Sequence, residues 1–242
     1  MCGIAGIIQI KPKPISFETI KSYFNLLKAN GEQACGIGTV NENLDIQYIK
    51  AVCSPEEFLT KYKKKLNSLL KDNTKVLLMH TRQPSNGSND ILNAQPIVIK
   101  DTMLTHNGTI VELGSWSKNN KRSDSYKLAR KIAASKNTLK ALEVVDSSNR
   151  VAFVKKDKFY LYLSVATKLM YDFEKERLAY SNSGFPMTSK ILGLIPYTSN
   201  SIVTEIDDTC WVFDLKTSKY KTFEIEKAVH TKVYGDYYGY YR

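Results

Sequence analysis

Four short stretches of this chain carry residue types that suit nucleophilic attack on a carbonyl group. The first holds Cys2, directly after the initiator methionine, and cysteine is small enough for methionine aminopeptidase to expose it. The mature first residue would then carry a thiol and an α-amine, whose ordinary pKa of about 7.7–8.0 leaves part of it as free base at neutral pH. An N-terminal amine can accept the proton of its own side chain. Cys2 is therefore a candidate nucleophile with a built-in base.

The other three stretches, HTR, HNG and SD, supply groups that such a nucleophile needs. Attack creates an oxyanion, and each preorganised donor that meets it is worth about 3 kcal/mol of the barrier. The Asn107 amide and the Gly108 backbone N–H are two adjacent donors. Arg82 can hold a carboxylate in a bidentate pair, and Asp124 can pair with an ammonium. Together, Arg82 and Asp124 would recognise both ends of an α-amino acid.

Each stretch lies at the end of a predicted strand or at the start of a predicted helix. Residues 2–10 form an apolar run of strand length, and KVLLM is a buried strand that leads into the polar loop HTRQPSNGSND. PIVIKDTMLTHNG is typical of a hairpin that ends in HNG, and SKNNKRSD precedes the helix SYKLARKIAAS. The ends of separate strands must therefore meet if these residues form one site.

The remaining segments predict a mixed order of strands and helices. Helices are expected after the capping residues Ser16 and Ser54, the second covering SPEEFLTKYKKKLNSLL, and again at TLKALEVV. RVAFV should pair with KFYLYLSV, and KLMYDFE with RLAYSN, before the final strands SIVTEI and CWVFDL. This order favours an α+β layered fold over a doubly wound parallel sheet.

Composition narrows the class of protein. With 43% hydrophobic and 24% charged residues, the 242-residue chain suits one soluble domain. It has no apolar run of membrane-spanning length and no secretory signal. Its four cysteines form no CxxC pair and show no metal-ligand spacing with the histidines. We therefore expect a reduced, cytoplasmic protein without a cofactor or a metal.

The formal net charge of +11 raises the question of a nucleic-acid partner. The lysines are spread over several segments, and the sequence has no arginine-rich arm, zinc finger or aromatic RNA-binding motif. We expect this charge to keep the surface soluble or to steer a partner, with nucleic acid not the ligand.

Taken in order along the chain, MCGIAGI, HTR with a glycine a few residues on, HNG and SD resemble the class II glutamine amidotransferases. NGEQACGIG resembles the RGxDxxG stretch of that family, and the likeness runs to about residue 215. It implies the N-terminal-nucleophile hydrolase fold, a four-layer αββα sandwich of two antiparallel sheets between helices. It also implies an amidotransferase domain over residues 2–222, followed by a Tyr- and Gly-rich tail over residues 223–242.

The resemblance implies a role for each candidate residue. Cys2 would form a γ-glutamyl thioester with L-glutamine and release ammonia, while Asn107 and Gly108 form the oxyanion hole. Further residues would bind the substrate: Arg82 at the α-carboxylate, Asp124 at the α-amine, and Ser85 and Gly87 as pocket lining. The α-amine already supplies a base, so His80 and His106 are interpreted as hydrogen-bonded scaffolds in preference to a Cys–His dyad.

Some positions depart from the family pattern. Asn30 replaces an arginine, Gln83 an aromatic residue and Asn182 an acidic one, while Asn86 and Tyr126 replace a histidine and a glutamate found in some members. None of these changes removes a group that the reaction requires.

Three functions stay open from the sequence. The first is a glutaminase that supplies ammonia to a separate acceptor or synthetase protein, since the chain shows no phosphate-binding loop and no ATP-pyrophosphatase-like motif. The second is a γ-glutamyl-peptide amidohydrolase with the same thioester chemistry. The third, suggested by the charge and the tyrosine-rich tail, is a catalytically degenerate domain that binds a partner or nucleic acid.

Overall fold

The computed structural model of the chain contains two antiparallel sheets that pack face to face between layers of helices. It describes residues 2–71, 73–85, 87–113, 121–146, 149–163, 168–172, 177–182, 201–205 and 209–225. None of the helices in these ranges combines the length and the apolar character needed to span a bilayer.

The first sheet has seven strands in the order β11-β9-β10-β1-β4-β2-β3. Their bounds are β1 Gly3–Lys13, β2 Ala34–Asn41, β3 Ile46–Ala51, β4 Thr74–Arg82, β9 Lys168–Asp172, β10 Arg177–Ser181 and β11 Ser201–Glu205. β1 and β4 are interior strands, since β1 pairs with β10 and β4, and β4 pairs with β1 and β2.

The second sheet has six strands in the order β13-β12-β8-β7-β6-β5. Their bounds are β5 Ile97–Ile99, β6 Thr102–Asn107, β7 Arg150–Lys155, β8 Lys158–Leu163, β12 Thr209–Asp214 and β13 Tyr220–Glu224. The predicted pairs β5–β6, β7–β8 and β9–β10 are present as antiparallel neighbours.

Helices cover the outer faces of both sheets. Their bounds are α1 Phe17–Leu27, α2 Pro55–Lys61, α3 Lys63–Lys71, α4 Asp124–Ala134 and α5 Thr138–Ala141, with a 3₁₀ turn at Lys28–Asn30. Three apolar clusters lie between the successive layers. One packs α1, α2 and α3 on the first sheet, one fills the space between the sheets, and one packs α4 and α5 on the second sheet. The expected α+β fold with an αββα layer order is confirmed.

Two predicted helices differ from the structure. The segment that follows Ser54 is divided at Tyr62 into α2 and α3, and the Tyr62 ring packs on Phe58 at a centroid distance of 5.2 Å. Both halves still bury one apolar face, with Leu66, Leu69 and Leu70 buried in α3. The helix predicted at TLKALEVV is limited to the four residues of α5, which Asn137 caps through a hydrogen bond to the Lys140 N–H.

The division of the chain at residue 222 stays a prediction. β13 runs from Tyr220 to Glu224, so the predicted boundary falls inside a strand that pairs with β12. The greater part of the predicted tail, residues 226–242, lies outside the described residues.

Candidate active site

Cys2, the residue directly before β1, lies next to residues of both sheets. Gly3 is paired with Thr81, so Cys2 and Arg82 lie beside each other at the ends of neighbouring strands. Asn107 ends β6 in the other sheet, and its side-chain Oδ1 accepts a hydrogen bond from the Cys2 nitrogen at 3.3 Å. The structure thus brings the candidate nucleophile and the candidate oxyanion residue into direct contact.

Asn182, the residue directly after β10, also binds Cys2. Its Nδ2 donates to the Cys2 carbonyl oxygen at 2.9 Å, and its Oδ1 accepts from the Ile4 N–H at 2.9 Å. One amide side chain thereby extends the β1–β10 hydrogen-bond ladder to the start of β1. Sequence reasoning noted Asn182 only as a departure from a family pattern, and no local motif marks it as part of the site.

The Cys2 thiol is half-buried and donates a long hydrogen bond to the Gln83 carbonyl oxygen at 3.6 Å. Burial raises the pKa of this thiol, and the Asp124 charge adds to the rise, whereas a backbone hydrogen bond of Gln83 and the Arg82 charge oppose it. The thiol is therefore protonated at neutral pH, so a nucleophilic Cys2 needs a base that removes its proton.

The two polar atoms of the Asn107 side-chain amide have different surroundings. It is buried, and while Oδ1 accepts from Cys2, its Nδ2 has no hydrogen-bond partner within the described residues. A buried N–H donor without a partner carries a desolvation cost that a ligand oxygen would remove. The next residue, Gly108, has a φ of +140°, and a Cβ atom there would collide with the Asn149 side chain. Glycine is required at this position.

His106 anchors the backbone of this corner. Its Nδ1 lies 2.8 Å from the Ser125 hydroxyl and its Nε2 lies 2.7 Å from Asn149 Oδ1. The Gln95 amide pairs with its backbone, accepting from the N–H at 2.6 Å and donating to the carbonyl at 3.2 Å. His106 thus links Asn107 to the start of α4, as expected of a scaffold residue.

His80 is also part of this scaffold. It is completely buried, and its Nε2 lies 3.3 Å from the His106 carbonyl oxygen. Burial and the nearby Arg82 charge lower the pKa of His80 to about 3, so the ring is neutral at physiological pH. Among the described contacts, neither His80 nor His106 has a hydrogen bond to Cys2, which disfavours the Cys–His dyad.

Arg82 is buried at the end of β4 and points into the loop that follows. Its Nη1 donates to the Ser88 carbonyl oxygen at 2.9 Å and to Asn89 Oδ1 at 3.5 Å. Its backbone carbonyl accepts from the Gln33 N–H at 3.0 Å. A Cβ atom at Gly31 would come within 2.5 Å of the Arg82 and Gln83 backbone, so the NGEQACGIG segment packs directly beneath this arginine.

Asp124 begins α4 with its carboxylate already oriented. Oδ2 accepts from the Ile110 N–H at 2.8 Å, and Oδ1 accepts from the Ser125 N–H at 2.8 Å. Ser123 caps the helix through a hydrogen bond from the Tyr126 N–H. Burial lowers the pKa of the Arg82 guanidinium, and the negative charges of Asp90 and Asp124 oppose this shift.

Ser85 and Gly87 both lie in the loop after β4, with Ser85 exposed to solvent. Gly87 has a φ of +75°, and a Cβ atom there would lie 2.7 Å from the Ser123 backbone nitrogen. Gly87 therefore allows the loop to contact the start of α4. Asn86, a predicted departure from the family pattern, lies outside the described residues.

No protein-family profile matches this chain, and no curated protein matches it in sequence. Solved structures match it strongly in fold. Glutamine PRPP amidotransferase from B. subtilis, complexed with ADP and GMP, aligns with a TM-score of 0.67 at 14% identity over 93% of this chain. A structure described as the allosteric regulatory enzyme of purine biosynthesis gives a TM-score of 0.68 at 14% identity over 93% of the chain.

The chain spans about half the length of these two proteins, since each alignment covers 49% of the other chain. A glutamine aminotransferase class-II domain protein from Silicibacter pomeroyi aligns over its full length and 93% of this chain, with a TM-score of 0.55 at 10% identity. The chain therefore has the fold of class II glutamine amidotransferase domains, the N-terminal-nucleophile hydrolase fold. The fold predicted from the resemblance is confirmed.

Proposed function

We propose that this protein hydrolyses the side-chain amide of L-glutamine through a Cys2 thioester and releases ammonia. The observation that carries the proposal is that one polar atom of the Asn107 amide binds Cys2 while the other has no described partner. Its Oδ1 accepts from the Cys2 nitrogen, while its buried Nδ2 donor has no described partner. That geometry suits a site in which the amine of Cys2 acts as a base beside a donor reserved for an oxyanion.

The reaction begins once removal of Met1 turns the Cys2 nitrogen into an α-amine. This amine takes the proton from Sγ, and the sulfur attacks the carboxamide carbon of glutamine. The Asn107 Nδ2 and the Gly108 N–H stabilise the oxyanion, and each such donor is worth about 3 kcal/mol of barrier. The amine then returns the proton to the leaving nitrogen, which departs as ammonia. Water attacks the remaining thioester to give glutamate and restore the thiol.

Arg82 and Asp124 bind the two ends of the substrate in this proposal. The guanidinium pairs with the α-carboxylate, and the Asp124 carboxylate accepts from the α-ammonium. The backbone bonds from Ile110 and Ser125 hold that carboxylate in place before substrate arrives. Such preorganisation supports catalysis because it lowers the ordering cost of bringing the substrate to the sulfur. Ser85 and Gly87 would line the pocket between these charges.

Ammonia would pass to a separate acceptor or synthetase protein. An assay of the purified chain alone should therefore give glutamate and ammonia without an aminated product. Synthesis of an aminated product at full rate by the chain alone would contradict this part of the proposal.

The decisive test combines intact mass with a diazo-ketone analogue of glutamine. The purified protein should lack Met1 and gain one covalent adduct, which Cys2→Ala should abolish without changing the circular dichroism spectrum. Cys53→Ala is the matched control because it removes a half-buried thiol outside the site, and it should keep both the adduct and turnover. Retention of Met1 together with an unmodified Cys2 would overturn the proposal.

Relative turnover distinguishes the remaining functions. A γ-glutamyl-peptide amidohydrolase would cleave a γ-glutamyl dipeptide faster than L-glutamine. A degenerate binding domain would turn over neither substrate and would bind DNA in a salt-dependent manner.

A further inference from the structure

Asn93 lies completely buried between the loop after β4 and the segment before α4. Its Nδ2 donates to the Ser88 carbonyl oxygen at 2.9 Å and to the Lys121 carbonyl oxygen at 2.7 Å. Its Oδ1 accepts from the Ser123 N–H at 2.9 Å. The amide thus joins two separate segments of chain and uses both its donors and its acceptor.

The hydrogen bond from Asn93 to the Ser88 carbonyl oxygen connects Asn93 to Arg82. The Ser88 carbonyl oxygen that accepts from Asn93 also accepts from Arg82 Nη1 at 2.9 Å. A carbonyl oxygen can accept two such bonds, and here the second bond fixes the oxygen against which the guanidinium rests. Asn93 therefore restrains the position of Arg82 without touching it.

The hydrogen bond that Asn93 accepts from the Ser123 N–H connects Asn93 to the residue before Asp124. Ser123, whose N–H donates to Asn93, caps α4, and Asp124 is the next residue. Gly87 adds a second close approach between the same two segments, because it lies against the Ser123 nitrogen. At the exposed rim, the Ser88 hydroxyl also donates to the Lys121 carbonyl oxygen at 2.9 Å, and Arg122 lies 3.6 Å from Asp90. Asn93 is the completely buried contact among those that set the position of Asp124 relative to the loop after β4.

We propose that Asn93 is a positioning residue that fixes the separation of Arg82 and Asp124. It thereby makes the site selective for substrates that carry both an α-carboxylate and an α-ammonium. This inference rests on the proposed function, because it takes Arg82 and Asp124 as the two substrate contacts. Buried amides that bridge two segments hold a fixed geometry, and a displacement of about 1 Å can lower a rate by about 100-fold.

The Asn93 amide supplies both kinds of group needed at this point. It donates to two carbonyl oxygens and accepts from one N–H, and both Asn93 and Ser123 are buried. Removal of the amide takes the acceptor from the buried Ser123 N–H, whereas the Ser88 carbonyl keeps Arg82 and the Lys121 carbonyl keeps the Ser88 hydroxyl. The segment before α4 would then shift until this N–H reaches water or another acceptor. The expected consequence is a changed spacing of the two charges, with Cys2 and Asn107 left in place.

The experiment compares L-glutamine with glutaramate, which has the carboxylate and the amide but lacks the α-amine. In Asn93→Ala, kcat/KM for L-glutamine should fall by about tenfold or more, mainly through KM, as expected for lost buried hydrogen bonds. For glutaramate it should change by less than about threefold, because a substrate with one charged end can follow Arg82. Asn93→Ser provides a second variant in case the alanine protein does not fold.

Asn137→Ala is the matched control, since it also removes an asparagine side chain that binds a backbone N–H, at the exposed start of α5. It should leave both kcat/KM values unchanged. Equal losses for both substrates, or no loss for L-glutamine, would overturn the positioning role while the wild type stays active. A wild type that hydrolyses neither substrate would instead overturn the proposed function, and the inference with it.

Discussion

The two ends of the sandwich differ in how they treat polar groups. At the end that holds Cys2, the side chains of Arg82, Asn107 and Asp124 are 3%, 3% and 4% exposed, and buried amides link them. At the opposite end, four hairpin and loop turns come together, each with one residue at positive φ: Leu44, Lys100, Lys156 and Ser218. A surface cavity of about 560 Å³ lies among these turns, and lysines and aspartates line it.

The difference follows from the cost of removing polar groups from water. Charges at the end of the sandwich that holds the four turns remain solvated. An ion pair there, such as Lys216 to Asp157 at 3.5 Å, therefore contributes little to the free energy of unfolding. At the site end, a buried donor or acceptor without a partner is costly, and neutral amides supply partners at a lower desolvation cost than ions. The Asn107 Nδ2 donor is an exception there, because it has no partner among the described residues. Buried asparagine and glutamine amides therefore connect the inner part of the site, while the Arg122–Asp90 ion pair lies at its solvent-exposed rim. This difference predicts that substitutions at the two ends have very different effects.

The largest effect is expected for Asn107→Asp. A carboxylate keeps an acceptor for the Cys2 nitrogen but removes the Nδ2 donor, so kcat for glutamine should fall by about 10²–10³-fold. Steady-state kinetics with a matched Asn137→Asp control, the same substitution at an exposed helix cap, would measure this. A kcat close to that of the wild type would show that the unpartnered donor has no part in the reaction.

A smaller effect is expected for the pH dependence of stability through His80. Its pKa is about 3 in the folded protein and 6.5 ordinarily, so between these values the unfolded chain binds a proton that the folded chain does not. The free energy of unfolding therefore decreases as pH falls below 6.5, by at most about 1.4 kcal/mol per pH unit. Lowering the pH to about 5 should cost the wild type about 2 kcal/mol from this group.

His80→Gln tests the assignment, because a glutamine can place its amide nitrogen near the His106 carbonyl but does not titrate. Urea unfolding of both proteins at about pH 7.5 and about pH 5 should show a smaller acid loss in the variant. An equal loss in both proteins would place the acid sensitivity elsewhere in the chain.

The smallest effect is expected at the turn end. Lys216→Ala removes an ion pair whose side chains are 66% and 34% exposed, so the free energy of unfolding should change by less than about 0.5 kcal/mol. Glutamine turnover should stay the same. Chemical denaturation and a turnover assay suffice, and a clear loss of activity would break the contrast between the two ends.

Sequence patterns predicted the strands well because the apolar runs at KVLLM and RVAFV match the strand length that burial between two layers requires. Cys2, Asn107 and Arg82 could be predicted as site residues because each lies at a strand end within a short recognisable motif. Asn93, Gln95 and Asn182 were missed as site components because each makes a hydrogen bond to a residue 11 to 180 positions away in the chain. The division at Tyr62 was missed because a continuous apolar face is equally compatible with one helix or two.

Cys2 directly precedes the interior strand β1 and Arg82 ends the interior strand β4, which has a consequence for how the protein would lose its proposed activity. β1 and β4 each have neighbours on both sides, whereas β3 and β11 are the outer strands of the same sheet. Fraying and amide exchange begin at outer strands, which have fewer hydrogen bonds to break. Transient opening of β3 or β11 would leave the Cys2 sulfur and the Arg82 guanidinium in place relative to each other. The proposed glutaminase activity should therefore survive partial melting of the outer strands and disappear only when the whole sheet unfolds cooperatively.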